Sequence, residues 1–187
     1  MFPCPWCDRT SGFREICGFG QDLETTLIEE ASKAGILVIG PNIMGLCNPH
    51  IGLSCLPFPV TPRAGSTALV CQSGNMGLQF LAFAEQQCIG IRGFCGSGNE
   101  AMVTIPDYLD AFEMDPLTRI VMLYMESIKD GCRFFEAARR VSLKEPVFSM
   151  PPAIRLGSCR FQDQEPCWML WPPLPHNRFP GETGLPF

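Results

Sequence analysis

Long apolar runs are missing from this sequence: none approaches the roughly 18 to 20 residues that a bilayer-crossing helix needs. The opening MFPCPWCDRT has neither a basic leader nor an apolar stretch of secretory type, so no membrane partner is expected and the reading is cytoplasmic. Positive charge is also scarce. Lys and Arg number 14 against 19 Asp and Glu, for a net charge of -5, and this leaves no basic stripe to neutralise phosphates, which excludes nucleic acid as an expected partner. Histidine is rarer still, at two residues, His50 and His176. That shortage weighs on the CPWC pair, Cys4 and Cys7. A tetrahedral zinc site needs two further ligands at suitable spacing, and Cys17 with two distant histidines is a poor supply. A CPWC metal or redox protein therefore ranks last among the readings, and no metal site is assigned.

Apolar residues, by contrast, make up 46% of the 187 positions, enough for one ordinary core or two small ones. Eleven cysteines are spread through segments that read as buried strands and helices, so reduced thiols are expected rather than a disulfide framework. Composition divides the chain. All three tryptophans, Trp6, Trp168 and Trp171, lie near the ends, and eight of the 18 prolines fall from Pro151 onward. Between the ends runs a βα rhythm. Leu23, Leu27, Ile28 and Ala31 share one helical face, Gly35 supplies a stop, and the apolar run 36–39 is expected to be a buried parallel strand before the break at Pro41. Further strands are expected over 66–71, 88–95, 119–125 and 146–149, with helices over about 74–87, 106–112 and 131–141. This alternation predicts an α/β fold with a parallel, doubly wound sheet.

In such sheets ligands gather outside the carboxyl ends of the strands. Three loops meet that description, at 40–42, 72–75 and 126–131. The stretch VCQSGNMG joins a strand to a helix with small polar residues at the helix N-terminus, where unpaired N–H groups favour an anion. A phosphate fits there, and so does a plain turn in which Ser73 only caps the helix. Glu126 follows the mostly apolar strand residues 121–125 and should stand at a strand's carboxyl end. Such a carboxylate can orient an imidazole or take its proton, or it can serve structure by bonding to the N–H groups of the next helix. The glycines of GPNIMG and GSGN mark turns and nothing more specific.

Taken in order, SGFRE, LETTLIEEASKAGILVIGPNIMGLCNP, ALVCQSGNMG, GNEAMVTIPDYLDAFEMDP and LYMESIKDGCRFFEAARR resemble successive blocks of the NDP-forming (ADP-forming) acyl-CoA synthetases, relatives of the succinyl-CoA synthetase alpha subunit. The likeness runs from about residue 11 to residue 149. It implies an unpatterned N-terminus over 1–11, the C-terminal part of a Rossmann-like CoA-binding domain over 12–60, and a succinyl-CoA-synthetase-like flavodoxin domain over 65–149. The Pro-rich tail, 150–187, matches neither domain. The opening strand and glycine-rich turn of the CoA domain have no counterpart in MFPCPWCDRT, and only Thr10, Ser11 and Gly12 match a CoA-contacting loop, so CoA is expected to bind weakly or not at all.

The family's chemistry turns acyl-CoA and phosphate into an acyl phosphate, which phosphorylates a histidine; the phosphohistidine then swings to an ATP-grasp domain and makes ATP. By motif match, Ser73, Gly74 and Asn75 would hold the phosphoryl group and Glu126 would pair with the histidine. Cys71 departs from the serine that many members carry at the presumed phosphate site. The histidine belongs in an SHTG or SHAG loop shortly after KEPVF, and neither His50 nor His176 matches it. The resemblance thus implies a ligase fragment, inactive alone, whose partners are acyl-CoA and an ATP-grasp beta-type subunit or domain, the latter holding ADP or ATP and Mg. The alternative is a regulatory or scaffold module of the kind fused to acetyltransferases. The tail offers its own explanation for the missing histidine. Codons possible for residues 160–169, read one nucleotide later, fix a glycine where Trp168 runs into Met169 and permit a histidine where Pro166 runs into Cys167. The shifted frame can spell ASKTRSHAG, so the tail is expected to be translated out of frame, with a genuine alternative C-terminus as the rival.

Overall fold

The computed structural model describes residues 11–150 apart from residue 17. Thr10, the CPWC pair, Cys17, the three tryptophans, His176 and the proline-rich tail lie outside the described residues.

The sheet is built around STALVC. Its residues are apolar on both faces, as a strand covered on both sides requires, and Ala68, Leu69, Val70 and Cys71 are all buried. This strand, β3 (Ala64–Cys71), lies between two parallel neighbours, β4 (Ile91–Gly96) and β5 (Ile120–Tyr124), with Val70 in register with Cys95 on one side and Leu123 on the other. The strand β6 (Val147–Met150) extends the parallel set beyond β5. Two shorter strands, β1 (Leu46–Asn48) and β2 (Leu53–Ser54), complete a six-stranded sheet of order β2-β1-β4-β3-β5-β6.

Alternation along β3 sends side chains to opposite faces. Leu69 and Cys71 meet Leu81 and Ala84 of helix α2 (Gly74–Gln86) and Phe94 of β4, forming one core. Gly77 lets this helix approach, because a Cβ there would stand 2.8 Å from the Phe94 ring. On the other face Val70, Val121 and Leu123 meet Tyr108 and Leu109 of α3 (Ile105–Met114) and Phe134, Ala137, Ala138 and Val141 of α4 (Gly131–Ser142). Local chemistry starts both helices. Thr104 and Asp107 form a capping box at α3, and the Asp130 side chain accepts the Arg133 N–H at 3.0 Å to cap α4.

The strands and helices of 64–150 fall within a few residues of the sequence expectation. The region before them departs from it. Helix α1 (Phe19–Ala34) ends at Gly35 as expected, yet of the anticipated apolar face only Ala31 is buried, Leu23 is 41% exposed, and the buried members of the first turns are Gly20 and Glu24. The run 36–39 is not the buried parallel strand that its apolar composition predicts. It pairs with no strand among the described residues, and Ile36 and Leu37 are 59% and 67% exposed. A strand is made by its neighbours, and none is supplied here.

The hairpin β1–β2 was not anticipated at all. It pairs antiparallel with β4, Leu46 opposite Cys95, and so attaches the first region to the parallel sheet. Arg92 secures this junction with a bidentate grip on Asp115 (2.7 and 3.0 Å) and a bond to the Asn48 side chain (3.2 Å). No helix among the described residues is long and apolar enough to cross a membrane.

Candidate functional site

Within the parallel set the spatial order β4-β3-β5-β6 reverses chain direction between β3 and β5, since the connection from β3 goes to one side and the next crosses to the other. A doubly wound sheet opens its crevice at such a switch point. The residues leaving β3 are Gln72 and Ser73; those leaving β5 lead to Glu126 and Ser127. Cys71 is in register with Tyr124, so the two exits are side by side.

Gln72 binds them together. Its side-chain oxygen accepts the N–H groups of Glu126 and of Ser127 (2.8 Å), while its nitrogen donates to the Glu100 carboxylate (2.7 Å) and to the Ser127 carbonyl (2.9 Å). Every hydrogen-bonding position of the amide is used, and the backbone of Glu126 is fixed by it. Glu100 is 3% exposed and sits at φ +55, in the left-handed region that a non-glycine residue seldom occupies. Burial pushes its carboxyl up, and the Gln72 amide and the Lys129 charge only partly oppose this.

The turn that holds Glu100 is locked against the 40–42 loop. Asn99 and Ala101 donate their N–H groups to the carbonyls of Pro41 (2.9 Å) and Gly40 (2.7 Å), and a Cβ at Gly98 would lie 2.2 Å from the Pro41 oxygen. Asn99 also reaches the first region. Its side-chain nitrogen donates to Glu15 at 2.6 Å and to Glu24 at 2.9 Å. Glu24 further accepts the Arg14 N–H (3.4 Å) and stands 3.7 Å from the Arg14 guanidinium.

Between the two regions lies a cavity of about 260 Å³ whose wall includes Arg14, Glu15, Gln72, Glu100, Glu126 and Lys129. Burial works against the charge of Glu15, but donors from Asn99 and Gly12 outweigh it and hold the carboxyl below the usual range. Burial and the nearby Arg14 charge push Lys129 below the ordinary lysine value, and its ammonium donates to the Glu100 carbonyl at 2.6 Å. The Glu126 carboxylate is exposed beside this space. It is thus fixed at its backbone and open at its tip.

Ser73, Gly74 and Asn75 stand at the adjacent strand exit, joined to Glu126 through Gln72, although the three do not form part of the cavity wall. Ser73 occupies the N-cap position of α2 and its side chain makes no capping bond. Met44 packs against Gly74, where a Cβ would come within 2.9 Å of its methyl group. Thr10 lies outside the described residues; Ser11 is exposed, and the Gly12 N–H donates to the Glu15 carboxylate at 2.6 Å. His50 bonds through Nε2 to the Gly65 carbonyl (2.8 Å), at the amino end of β3 and therefore at the opposite end of the strand from Gln72. Cys71 is wholly buried among apolar side chains, donates to the Ser73 carbonyl at 2.9 Å, and is pushed up to about 12 chiefly by burial. Gln72, Asn99, Glu100 and Lys129 carry no role in the sequence reading, although each sits within a block quoted for the resemblance.

Residues 64–153 match the succinyl-CoA ligase like flavodoxin domain. The alpha subunit of acetate–CoA ligase [ADP-forming] I from Pyrococcus furiosus is 36% identical over 138 residues, 74% of this chain and 30% of that protein. The alpha subunit of succinate–CoA ligase [ADP-forming] from Methanothermobacter thermautotrophicus is 32% identical, covering 70% of this chain and 47% of its own length. Among solved structures, the dinucleotide forming acetyl-coenzyme A synthetase 1 of Ca. Korarchaeum cryptofilum, in complex with phosphate and ADP, superposes with a TM-score of 0.72 at 34% identity over 76% of this chain and 31% of that one. The chain thus spans about a third of the length of the acetate–CoA ligase subunit and of the acetyl-coenzyme A synthetase and about half of the succinate–CoA ligase subunit, and with its succinyl-CoA-ligase-like flavodoxin domain it belongs to the NDP-forming acyl-CoA synthetase family.

Proposed function

We propose that this chain is the part of an ADP-forming acyl-CoA ligase that receives a phosphohistidine, with Glu126 as the partner of the imidazole and the α2 N-terminus at Ser73, Gly74 and Asn75 as the seat of the phosphoryl group. The observation that carries this reading is the Gln72 amide, which fixes Glu126 at the switch point beside the start of α2 while leaving its carboxylate open. In this role the carboxylate accepts the imidazole N–H, orients the ring and stabilises its positive charge as phosphate is transferred. The first N–H groups of α2 have no partner within the helix and point toward the anion. Acyl phosphate meets the imidazole in the cavity beside Glu126.

The residues present fit CoA poorly. The Gly12 N–H, in the segment that resembles a CoA-contacting loop, is taken by the Glu15 carboxylate, whose negative charge opposes an anionic ligand there. ADP and Mg belong to an ATP-grasp beta-type partner in the same cytoplasmic compartment, and the chain alone forms no ATP from acyl-CoA, ADP and phosphate.

The histidine is supplied by the frame that the tail conceals. A coding sequence with a histidine codon across Pro166 and Cys167 in the shifted frame supports this, and its absence overturns it. The functional test replaces residues 160–168 with ASKTRSHAG and adds acetyl phosphate. The new histidine is expected to become phosphorylated, and Glu126→Gln to slow that step by about a hundredfold, in line with the loss of a positioned acid–base group. An unphosphorylated histidine, or an unchanged rate in the variant, contradicts the proposal.

A further inference from the structure

The chain has three lysines, and their surroundings differ. All three side chains are exposed, but Lys33 is paired with Glu30 at 2.7 Å and Lys144 with Glu113 at 3.0 Å. Lys129 has no carboxylate oxygen within 4 Å among the described residues; its Nζ instead donates to the neutral carbonyl of Glu100 at 2.6 Å. It lies three residues after Glu126, on the wall of the same cavity, with Arg14 as the other cation of that wall and Glu15, Glu100 and Glu126 as its remaining charged groups.

We infer that Lys129 is a site of self-acylation, modified at Nζ by the acyl phosphate that the cavity receives. This rests on the reading of the cavity as the place where acyl phosphate is handled. The nitrogen lone pair attacks the acyl carbonyl carbon, the C–N bond forms and the C–O bond to phosphate breaks. Phosphate leaves with the electron pair, and the surplus proton on nitrogen passes to solvent. Nothing is oxidised or reduced. Two features favour this lysine. A carbonyl partner in place of a carboxylate releases the nitrogen more easily, and partial desolvation at the cavity wall together with the Arg14 charge lowers its basicity against the opposing pull of Glu24 and Glu100, which raises the fraction of free amine. Arg14 in addition offers a counter-charge to the incoming phosphate. The product is an amide with no charge, so each modified chain loses one of the two cations beside the cavity and becomes a poorer receptor for the next anion.

The experiment needs no variant and so no assumption about folding. The purified chain is incubated with acetyl phosphate at mildly alkaline pH, and acetylation of Lys33, Lys129 and Lys144 is followed by peptide mass spectrometry. Lys129 is expected to react about fivefold faster than either of the others, the advantage of an amine whose charged form is disfavoured. Equal or slower reaction at Lys129 overturns the inference. A parallel incubation uses the N-hydroxysuccinimide ester of acetic acid, which carries no phosphate. A lead for Lys129 with the ester but not with acetyl phosphate overturns the inference and also the acyl-phosphate reading of the cavity. A lead with neither reagent overturns the inference alone, since phosphorylation of the restored histidine does not involve Lys129.

Discussion

Residues 11–60 and residues 64–150 are both rich in apolar side chains, but the second region buries far more of them. In 64–150 the central strands β3, β4 and β5 have neighbours on both sides and helices pack on the two faces of the sheet, so Leu69, Val70, Phe94, Leu109 and Val121 are all 2% exposed or less. In 11–60 the run 36–39 has equal hydrophobicity and no strand beside it, and Phe19, Ile36 and Leu37 are each more than half exposed. The difference teaches that an apolar strand pattern is a request for partners and that the partners decide whether it is met. The first region is held to the second by the β1–β4 pairing and by polar ties, among them Asn99 to Glu15 and Glu24, Arg92 to Asn48, His50 to Gly65, and the turn of Glu100 to Gly40 and Pro41.

The contrast is sharpest in the response to truncation of large side chains. Phe94→Ala is expected to cost about 3 to 5 kcal/mol in chemical denaturation, since it empties a fully buried ring site between α2 and the sheet. Leu37→Ala is expected to stay within about 0.5 kcal/mol, as for a solvated position. Similar losses for the two would break the comparison. Between these extremes stands Asn99→Ala, which takes one donor from each of two carboxylates and leaves the buried Glu24 with Arg14 alone; about 2 kcal/mol is expected. Its signature is local. Hydrogen exchange should accelerate in α1 while β3 and β5 keep their protection, whereas uniform acceleration would mean that the two regions form one cooperative unit.

How much of this was legible in the sequence follows the same division. The β3 and β5 strands and helices α2, α3 and α4 could be read because STALVC, IVMLY and the intervening periodic segments are satisfied by contacts near at hand in the chain. The fate of 36–39 could not, because it depends on a neighbour rather than on its own residues. The β1–β2 hairpin was hidden by its brevity and by Pro49, which reads as a turn. At the site, Glu126 was visible as an acid following an apolar strand. Gln72 was not, because its partners, Glu100, Glu126 and Ser127, are remote in sequence and an amide in a βα turn has no pattern of its own. Glu100 was missed for a related reason: its burial is created by Gln72 and by the lock of its turn onto Gly40 and Pro41.

The smallest expected effect separates two acids by the sign of their pH dependence. Glu100 is raised when folded, chiefly by burial, so the folded chain binds more protons than the unfolded one just above the ordinary carboxylate range, and stability is lost as pH rises through that window. Glu100→Gln should therefore stabilise the chain at neutral pH, with the gain fading as pH falls below that range. Asp107 behaves in the opposite way. Burial raises it, but bonds from Thr104 and Arg133 outweigh that and leave it lowered, so its contribution is present above the ordinary range and is lost as pH falls. Asp107→Asn should destabilise the chain most at neutral pH. Thermal unfolding measured across the pH range checks both, and equal signs for the two variants would remove Glu100 from the site as a strained, buried acid.

The central claim is that the start of α2 and the exit from β5 form one receptor for a phosphoryl group. Titration of the isotopically labelled chain with inorganic phosphate, followed amide by amide in two-dimensional NMR, tests it most directly. The expected result is a saturable set of shifts at Gly74, Asn75 and Met76 and at Glu126 and Ser127, with a common affinity. Shifts confined to the His50 and Gly65 end of the sheet, or two groups that saturate at different phosphate concentrations, would contradict it.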